Sequence, residues 1–94
     1  MSEGILTEVY RVIEGRRDSP SPNSYVSSLI EKGLEGILAK VQEESDELIV
    51  AAREESNANI VHEATDLIFH TLVLLATKGI SLEEIFEEFR RRRR

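Results

Sequence analysis

From Ile60 to Lys78 the chain is apolar on almost every side. Ile60, Val61, Ala64, Leu67, Ile68, Phe69, Leu72, Val73, Leu74, Leu75 and Ala76 cover most of a helical wheel. A helix of that kind belongs at the centre of an assembly, and the other elements must pack around it. Two carboxylates, Glu63 and Asp66, interrupt it one turn apart. The segment therefore imposes a helical fold and sets a second problem, which is how a central helix carries two like charges.

The remaining segments read as helices too. Ile5, Leu6, Val9, Val12 and Ile13 make one stripe over residues 3–16. Pro20 and Pro22 mark 16–24 as a loop, because proline removes backbone donors and biases the residue before it away from helix. Tyr25 to Lys32 reads as a short helix. From Leu34 to about Glu54, the residues Ile37, Leu38, Val41, Leu48, Ala51 and Ala52 share one broad face. "ESNAN", 55–59, reads as a turn with several possible N-caps. Gly79 is placed to end the apolar helix in a left-handed cap. Ser81 and Glu84 form a capping box that opens a last helix over about 82–91, with Ile85, Phe86 and Phe89 on its core side. No stretch alternates with period two. The expected fold class is all-α, an antiparallel helical bundle in one domain of 94 residues.

A chain this short covers its apolar surface poorly, and with no cysteine it has neither disulfides nor thiolate metal sites to hold it. The apolar circumference of 60–78 exceeds what one copy can cover, so a homodimer is expected. The lack of cysteine fits a reducing cytoplasm, and a cytoplasmic location is the expectation. No N-terminal stretch joins basic residues to an apolar run of about 7–15 residues, so no secretory leader is expected. The apolar run "LIFHTLVLLA", 67–76, is half of the roughly 20 residues a membrane span requires, and no membrane partner is expected. The net charge of −6 argues against nucleic acid as a partner. Its exception is the run Arg90–Arg94, expected to be a disordered, solvated basic tail that complements the last helix dipole.

On the helix over 34–54, Glu43, Glu44 and Glu47 fall within about 100° of arc, and Asp46 lies outside it. On the next helix Glu63 and Asp66 form an i,i+3 pair, and His70 stands one turn further along the same stripe. A buried, unpaired carboxylate costs several kcal/mol. Such acids can pair with bases, protonate, hold a cation, or turn out to be a solvated face. The interior face of the apolar helix offers no basic partner. If the two helices pack antiparallel, Glu44 and Glu47 face Glu63 and Asp66, and four carboxylates make an oxygen site suited to Mg²⁺ or Mn²⁺. A ferritin-like di-iron site needs Glu-x-x-His on two helices, whereas this chain has Asp66-x-x-x-His70.

The E-E-x-x-E of Glu43, Glu44 and Glu47, followed after fifteen residues by the E-x-x-D of Glu63 and Asp66, resembles the MazG-type nucleotide pyrophosphohydrolases. Within them, Ser24-Tyr25, Lys32-Gly33, Lys40-Val41 and His70 narrow the resemblance to the phosphoribosyl-ATP pyrophosphatase family. The likeness covers nearly the whole chain except the arginine run. Val26, Gln42 and Phe69 depart from the usual Thr, Gly and Tyr, and Gly36 stands where a Lys is common, which removes one phosphate contact.

The resemblance implies a MazG-like fold and Mg²⁺-dependent hydrolysis of phosphoribosyl-ATP to phosphoribosyl-AMP and pyrophosphate, the second step of histidine biosynthesis. It implies Glu44, Glu47, Glu63 and Asp66 as metal ligands. Glu43 and Glu44 are the expected catalytic residues, with Glu43 either orienting or deprotonating the attacking water or serving as a further ligand. Lys40, Lys32, Ser24, Tyr25 and His70 are expected at the substrate, with Arg16 and Arg17 as further phosphate contacts. His62 is expected to be structural. A house-cleaning nucleoside triphosphate hydrolase and a non-enzymatic helical interaction module remain the alternatives.

Overall fold

The computed structural model describes residues 2–93. Five helices follow one another: α1, Ser2–Asp18; α2, Tyr25–Glu31; α3, Leu34–Glu54; α4, Asn57–Thr77; and α5, Leu82–Arg92. No strand occurs among the described residues, and the fold is all-α as expected. The main body is a hairpin of α3 and α4. Their connection is only Glu55 and Ser56, so α4 turns straight back along α3. Ser56 caps α4, its side chain accepting from the Asn59 amide. The turn expected over 55–59 is therefore shorter, because that cap lets the helix begin at Asn57.

One end of the hairpin carries the core. Tyr10 and Ile13 of α1, Val26 and Leu29 of α2, Ile37 of α3, Leu72, Val73 and Ala76 of α4, and Leu82 of α5 form one buried cluster. Ile13, Leu29, Ile37 and Val73 are fully enclosed, each worth roughly 1.5–3 kcal/mol of apolar burial. Two polar contacts fix α1 against the end of α4. The Tyr10 hydroxyl donates to the Ile80 carbonyl. Arg17 Nη1 donates to the Ala76 carbonyl at 2.9 Å. Those contacts carry α1 past Gly15 to Asp18, beyond the end read from its apolar stripe.

The other end of the hairpin is barely covered. Ile49 and Val50 of α3 and Val61 and Ile68 of α4 are 45–65% exposed. α4 is long and apolar enough, by length and composition, to cross a bilayer, more than its ten-residue apolar run suggested. Its packing on α3 and α1 and the carboxylates at its middle set it apart from such a span.

Helix α5 attaches by Leu82, with Ile85 and Phe86 half-buried and Phe89 67% exposed. The expected capping box is present. Ser81 accepts from the Glu84 amide, and the Glu84 carboxylate accepts from the Ser81 amide at 2.9 Å. The arginine run is not a disordered tail over Arg90–Arg92. These residues continue α5, held by ion pairs of Arg90 to Glu83 and Glu87, and of Arg91 and Arg92 to Glu88. Repeated Glu-to-Arg spacing of three and four residues extends the helix where composition alone suggested solvated chain. Arg94 lies outside the described residues.

Gly79 closes α4 with φ 72°. The Ile80 amide bonds back to Leu75 at 3.0 Å and the Gly79 amide to Ala76 at 3.1 Å, which is the Schellman arrangement. A side chain in that left-handed conformation costs roughly 1–2 kcal/mol. Gly79→Ala should lower the urea midpoint by a corresponding amount at fixed protein concentration, and an unchanged midpoint would show that the cap does not hold the α4–α5 corner.

Candidate functional site

The acid residues sit on the facing sides of α3 and α4, just beyond the packed core. Glu44 is 5% exposed. Its Oε1 lies 3.4 Å from Lys40 Nζ, while Oε2 is buried with no hydrogen-bond partner. From α4, Glu63 Oε1 is also buried and without a partner. Buried carboxylate oxygens in native proteins are normally satisfied, and two orphans in one seam call for a physical cause.

The seam brings the two helices' acids together. The neighbouring Glu63 carboxylate, with burial and the charge of Glu43, pushes the Glu47 pKa up. Two neighbouring carboxylates attract only if a proton or a cation lies between them. Glu47 and Glu63 line a small cleft of about 220 Å³ with Asp46, Val50 and Glu55.

Around that cleft the carboxylates fall into two groups. Oxygens of Glu43, Glu44 and Glu47 lie within 4.8 Å of one another, as do ligand atoms of His62, Glu63 and Asp66. Glu47 of one group and Glu63 of the other line the same cleft. The donors are hard oxygens, two of them buried and unsatisfied, in the mixture that divalent cations such as Mg²⁺ take. These residues therefore fit the ion that the resemblance implies.

A hydrogen-bonded pair forms the wall on the α2 side. Tyr25 Oη and His70 Nε2 are 2.7 Å apart, and His70 Nδ1 lies 2.7 Å from the Asp66 carbonyl. A carbonyl can only accept, so Nδ1 carries a proton. In the neutral ring, Nε2 then accepts from the Tyr25 hydroxyl. His70 is 5% exposed, while Tyr25 is half-exposed. Burial pushes the Tyr25 pKa up, Lys40 opposes it, and the charges of Glu44, Glu43 and Asp66 add to the rise. One hydroxyl thus stands within electrostatic reach of acids from both helices.

Other expected contacts fall differently. Lys40 donates to Glu43 Oε2 at 3.0 Å, so its ammonium is engaged inside the acid cluster. That hydrogen bond is the main reason the Lys40 pKa is raised. Ser24 is the N-cap of α2, accepting from the Ser27 amide at 3.1 Å. Lys32 is the exposed C-cap of the same helix. Arg17 is taken by the Ala76 carbonyl and Asp18. Arg16 lines a separate cleft with Pro20, Ser21 and Pro22. His62, expected to be merely structural, stands 3.3 Å from Asp66 Oδ2. Its i,i+4 spacing from Asp66 was the available signal, and the apolar context of the helix obscured it.

An all-α chain with E-E-x-x-E on one helix and E-x-x-D on the helix that folds back along it is of the MazG-like class. More narrowly, the chain belongs to the phosphoribosyl-ATP pyrophosphohydrolase family, whose model matches residues 6–93. It is 50% identical to the phosphoribosyl-ATP pyrophosphatase of Methanobrevibacter smithii, over 98% of this chain and 97% of that protein. It is 46% identical to the enzyme of the same name from Geotalea daltonii, over 98% of this chain and 87% of that one. The histidine biosynthesis bifunctional protein HisIE of Caldanaerobacter subterraneus is 44% identical over 94% of this chain, which spans 43% of that longer protein. Members of the family are enzymes, and this chain is one.

The raised Glu47 pKa has a consequence for the metal-free fold. A carboxyl whose folded pKa exceeds its unfolded value binds more protons when folded, so this proximity weakens the fold at neutral pH. That loss is relieved as pH falls toward the ordinary value of 4.5. In chelator, Glu47→Gln should melt above the wild type at neutral pH, and the gap should close on acidification toward that value. A gap independent of pH would show that the two carboxylates do not share the seam. Asp18, Glu84 and Glu88 have lowered pKa values, so their contribution is lost only below the ordinary carboxylate range and does not mask the effect.

Proposed function

We propose that the chain hydrolyses the α–β phosphoanhydride of phosphoribosyl-ATP, giving phosphoribosyl-AMP and pyrophosphate, in the second step of histidine biosynthesis. The observation that carries this reading is the pair of buried, unpartnered oxygens on Glu44 and Glu63, in a seam where Glu47 and Glu63 line one cleft. Family membership supplies the substrate class, and the bifunctional relative's name supplies the pathway.

Glu44, Glu47, Glu63 and Asp66 would hold Mg²⁺, with Mn²⁺ as a substitute. A bound divalent ion reverses the local sign of charge, polarises phosphoryl oxygens and makes a bound water more acidic. Without that reversal, a cleft of carboxylates repels a polyphosphate. Glu43 is half-exposed at the rim, oriented by Lys40, and is the residue placed to orient or deprotonate the attacking water. Lys40 balances the charge of Glu43 and Glu44 and can be drawn toward an incoming phosphate. His70 holds the Tyr25 hydroxyl at the mouth, where it can contact the nucleotide's sugar or base. Ser24 acts through the cap that positions Tyr25, and Lys32 lies outside the acid cluster as a contact for distant phosphate.

The reading includes a homodimer. Ile49, Val50, Val61 and Ile68 expose large apolar side chains at the uncovered end of the hairpin, and a second copy is the occupant that suits a self-complementary helix pair. Light scattering should return twice the chain mass of 10.7 kDa. A monomer that melts normally would reject this part.

Pyrophosphate release should require Mg²⁺ and stop on chelation, and phosphoribosyl-ATP should be preferred over a panel of nucleoside triphosphates. Glu63→Gln should lower turnover by about a hundredfold or more while circular dichroism stays helical. Wild-type turnover in that variant would overturn the ligand assignment. Equal turnover of the whole panel would favour a house-cleaning hydrolase, and no turnover of any nucleotide an interaction module.

A further inference from the structure

The oxygen set just described leaves out one donor. His62, Glu63 and Asp66 occupy one face of α4 as H-E-x-x-D. Each offers a ligand atom within 4.8 Å of the others. An i,i+4 pair of metal-binding side chains on one helical face is a known chelating geometry. The His62 Nε2 to Asp66 Oδ2 distance is 3.3 Å. With metal bonds of about 2.0–2.1 Å, neighbouring donors stand about 3.0 Å apart in an octahedron and about 3.3 Å apart in a tetrahedron. The pair already stands at a ligand–ligand edge. The third member of the group, Glu63, also has a buried oxygen, Oε1, without a partner.

We propose that His62 is a nitrogen ligand of the α4 half of this centre, so that the site takes borderline divalent ions such as Co²⁺ and Zn²⁺ in a way that an all-carboxylate site would not. The inference rests on the metal reading of the acid seam and refines it. Carboxylates suit Mg²⁺, whereas imidazole favours the later transition metals. His62 is 70% exposed at its side chain, so the ring can turn toward an ion without disturbing the core. For the same reason its removal leaves the fold intact.

The test is a set of direct metal titrations of the full chain, freed of metal by chelation. Co²⁺ is followed by its visible absorption and Mg²⁺ by calorimetry, in wild type, His62→Ala and Glu63→Gln. His62→Ala should weaken Co²⁺ by about tenfold or more, shift the Co²⁺ spectrum toward an all-oxygen pattern, and leave Mg²⁺ affinity within about twofold. The His62 ring signals should broaden on addition of Co²⁺ to wild type. Unchanged Co²⁺ affinity and spectrum in His62→Ala, with binding lost in Glu63→Gln, would overturn the role of His62 and leave the metal site standing. Equal weakening of Mg²⁺ and Co²⁺ in His62→Ala would also overturn it, since His62 would then only position Asp66. Binding of both ions unaffected by Glu63→Gln would remove the metal reading and the inference together.

Discussion

Glu44 and Glu63 each bury a carboxylate oxygen with no partner, and Glu63 lines one cleft of the α3–α4 seam with Glu47, whose pKa it pushes up. Each helix alone presents an ordinary run of acids. Folded back along one another, they bring the acids to a seam in which Glu44 is buried and Glu63 partly so, and there water screens the repulsion less than on a lone helix. Lys40 offsets part of the charge through Glu43 and Glu44. It does not reach the buried oxygens of Glu44 and Glu63, which keep no protein partner. In the proposed reading, a divalent ion would satisfy those oxygens and remove the repulsion in one event. Binding that acts only on the folded state also stabilises it, so such an ion would strengthen a fold that the empty seam weakens.

The fold can carry this load because its core lies elsewhere. Tyr10, Ile13, Leu29, Ile37 and Val73 are packed at the end of the hairpin where α1, α2 and α5 meet it. The acids begin just past that end, and the exposed Ile49, Val50, Val61 and Ile68 lie among and beyond them. Rigid packing on one side therefore holds the acid-bearing turns of α3 and α4 in register. The Tyr25–His70 hydrogen bond ties α2 to α4 beside them. Its second anchor is the Asp66 carbonyl, so the backbone of one of the acids also supports the ring that holds Tyr25.

Much of this was legible in the sequence, for reasons that differ by element. The 3.6-residue period of α3 and α4 survives because both helices bury one face, and the capping box at Ser81 is a local interaction among four residues. Glu63 and Asp66 stand out in the sequence because charge inside an apolar helix is costly, and Glu44 and Glu47 because they share an arc with Glu43. Contacts between distant segments left no such mark. The sequence offers Arg17 as a phosphate contact and gives no sign that Ala76, far along the chain, accepts from it. It offers Ser24 as a substrate contact, and the structure shows that its side chain also caps α2. Arg90–Arg92 looked like a tail because composition hides spacing, and the spacing to Glu83, Glu87 and Glu88 is what keeps them helical.

His62 is the most instructive omission. Its neighbours on the helical surface are apolar or acidic, and an exposed histidine one turn from an aspartate is ordinarily a weak surface pair. The structure changes its weight because Glu63, grouped with the pair, has a buried oxygen without a partner, and because the packed helix α3 carries a second acid group, Glu43, Glu44 and Glu47. The same imidazole on a solvated helix would have no cation to share. Its meaning is therefore set by the packing of α3 on α4, and a pairing 3.3 Å long acquires chemical content only once the seam around it is in place.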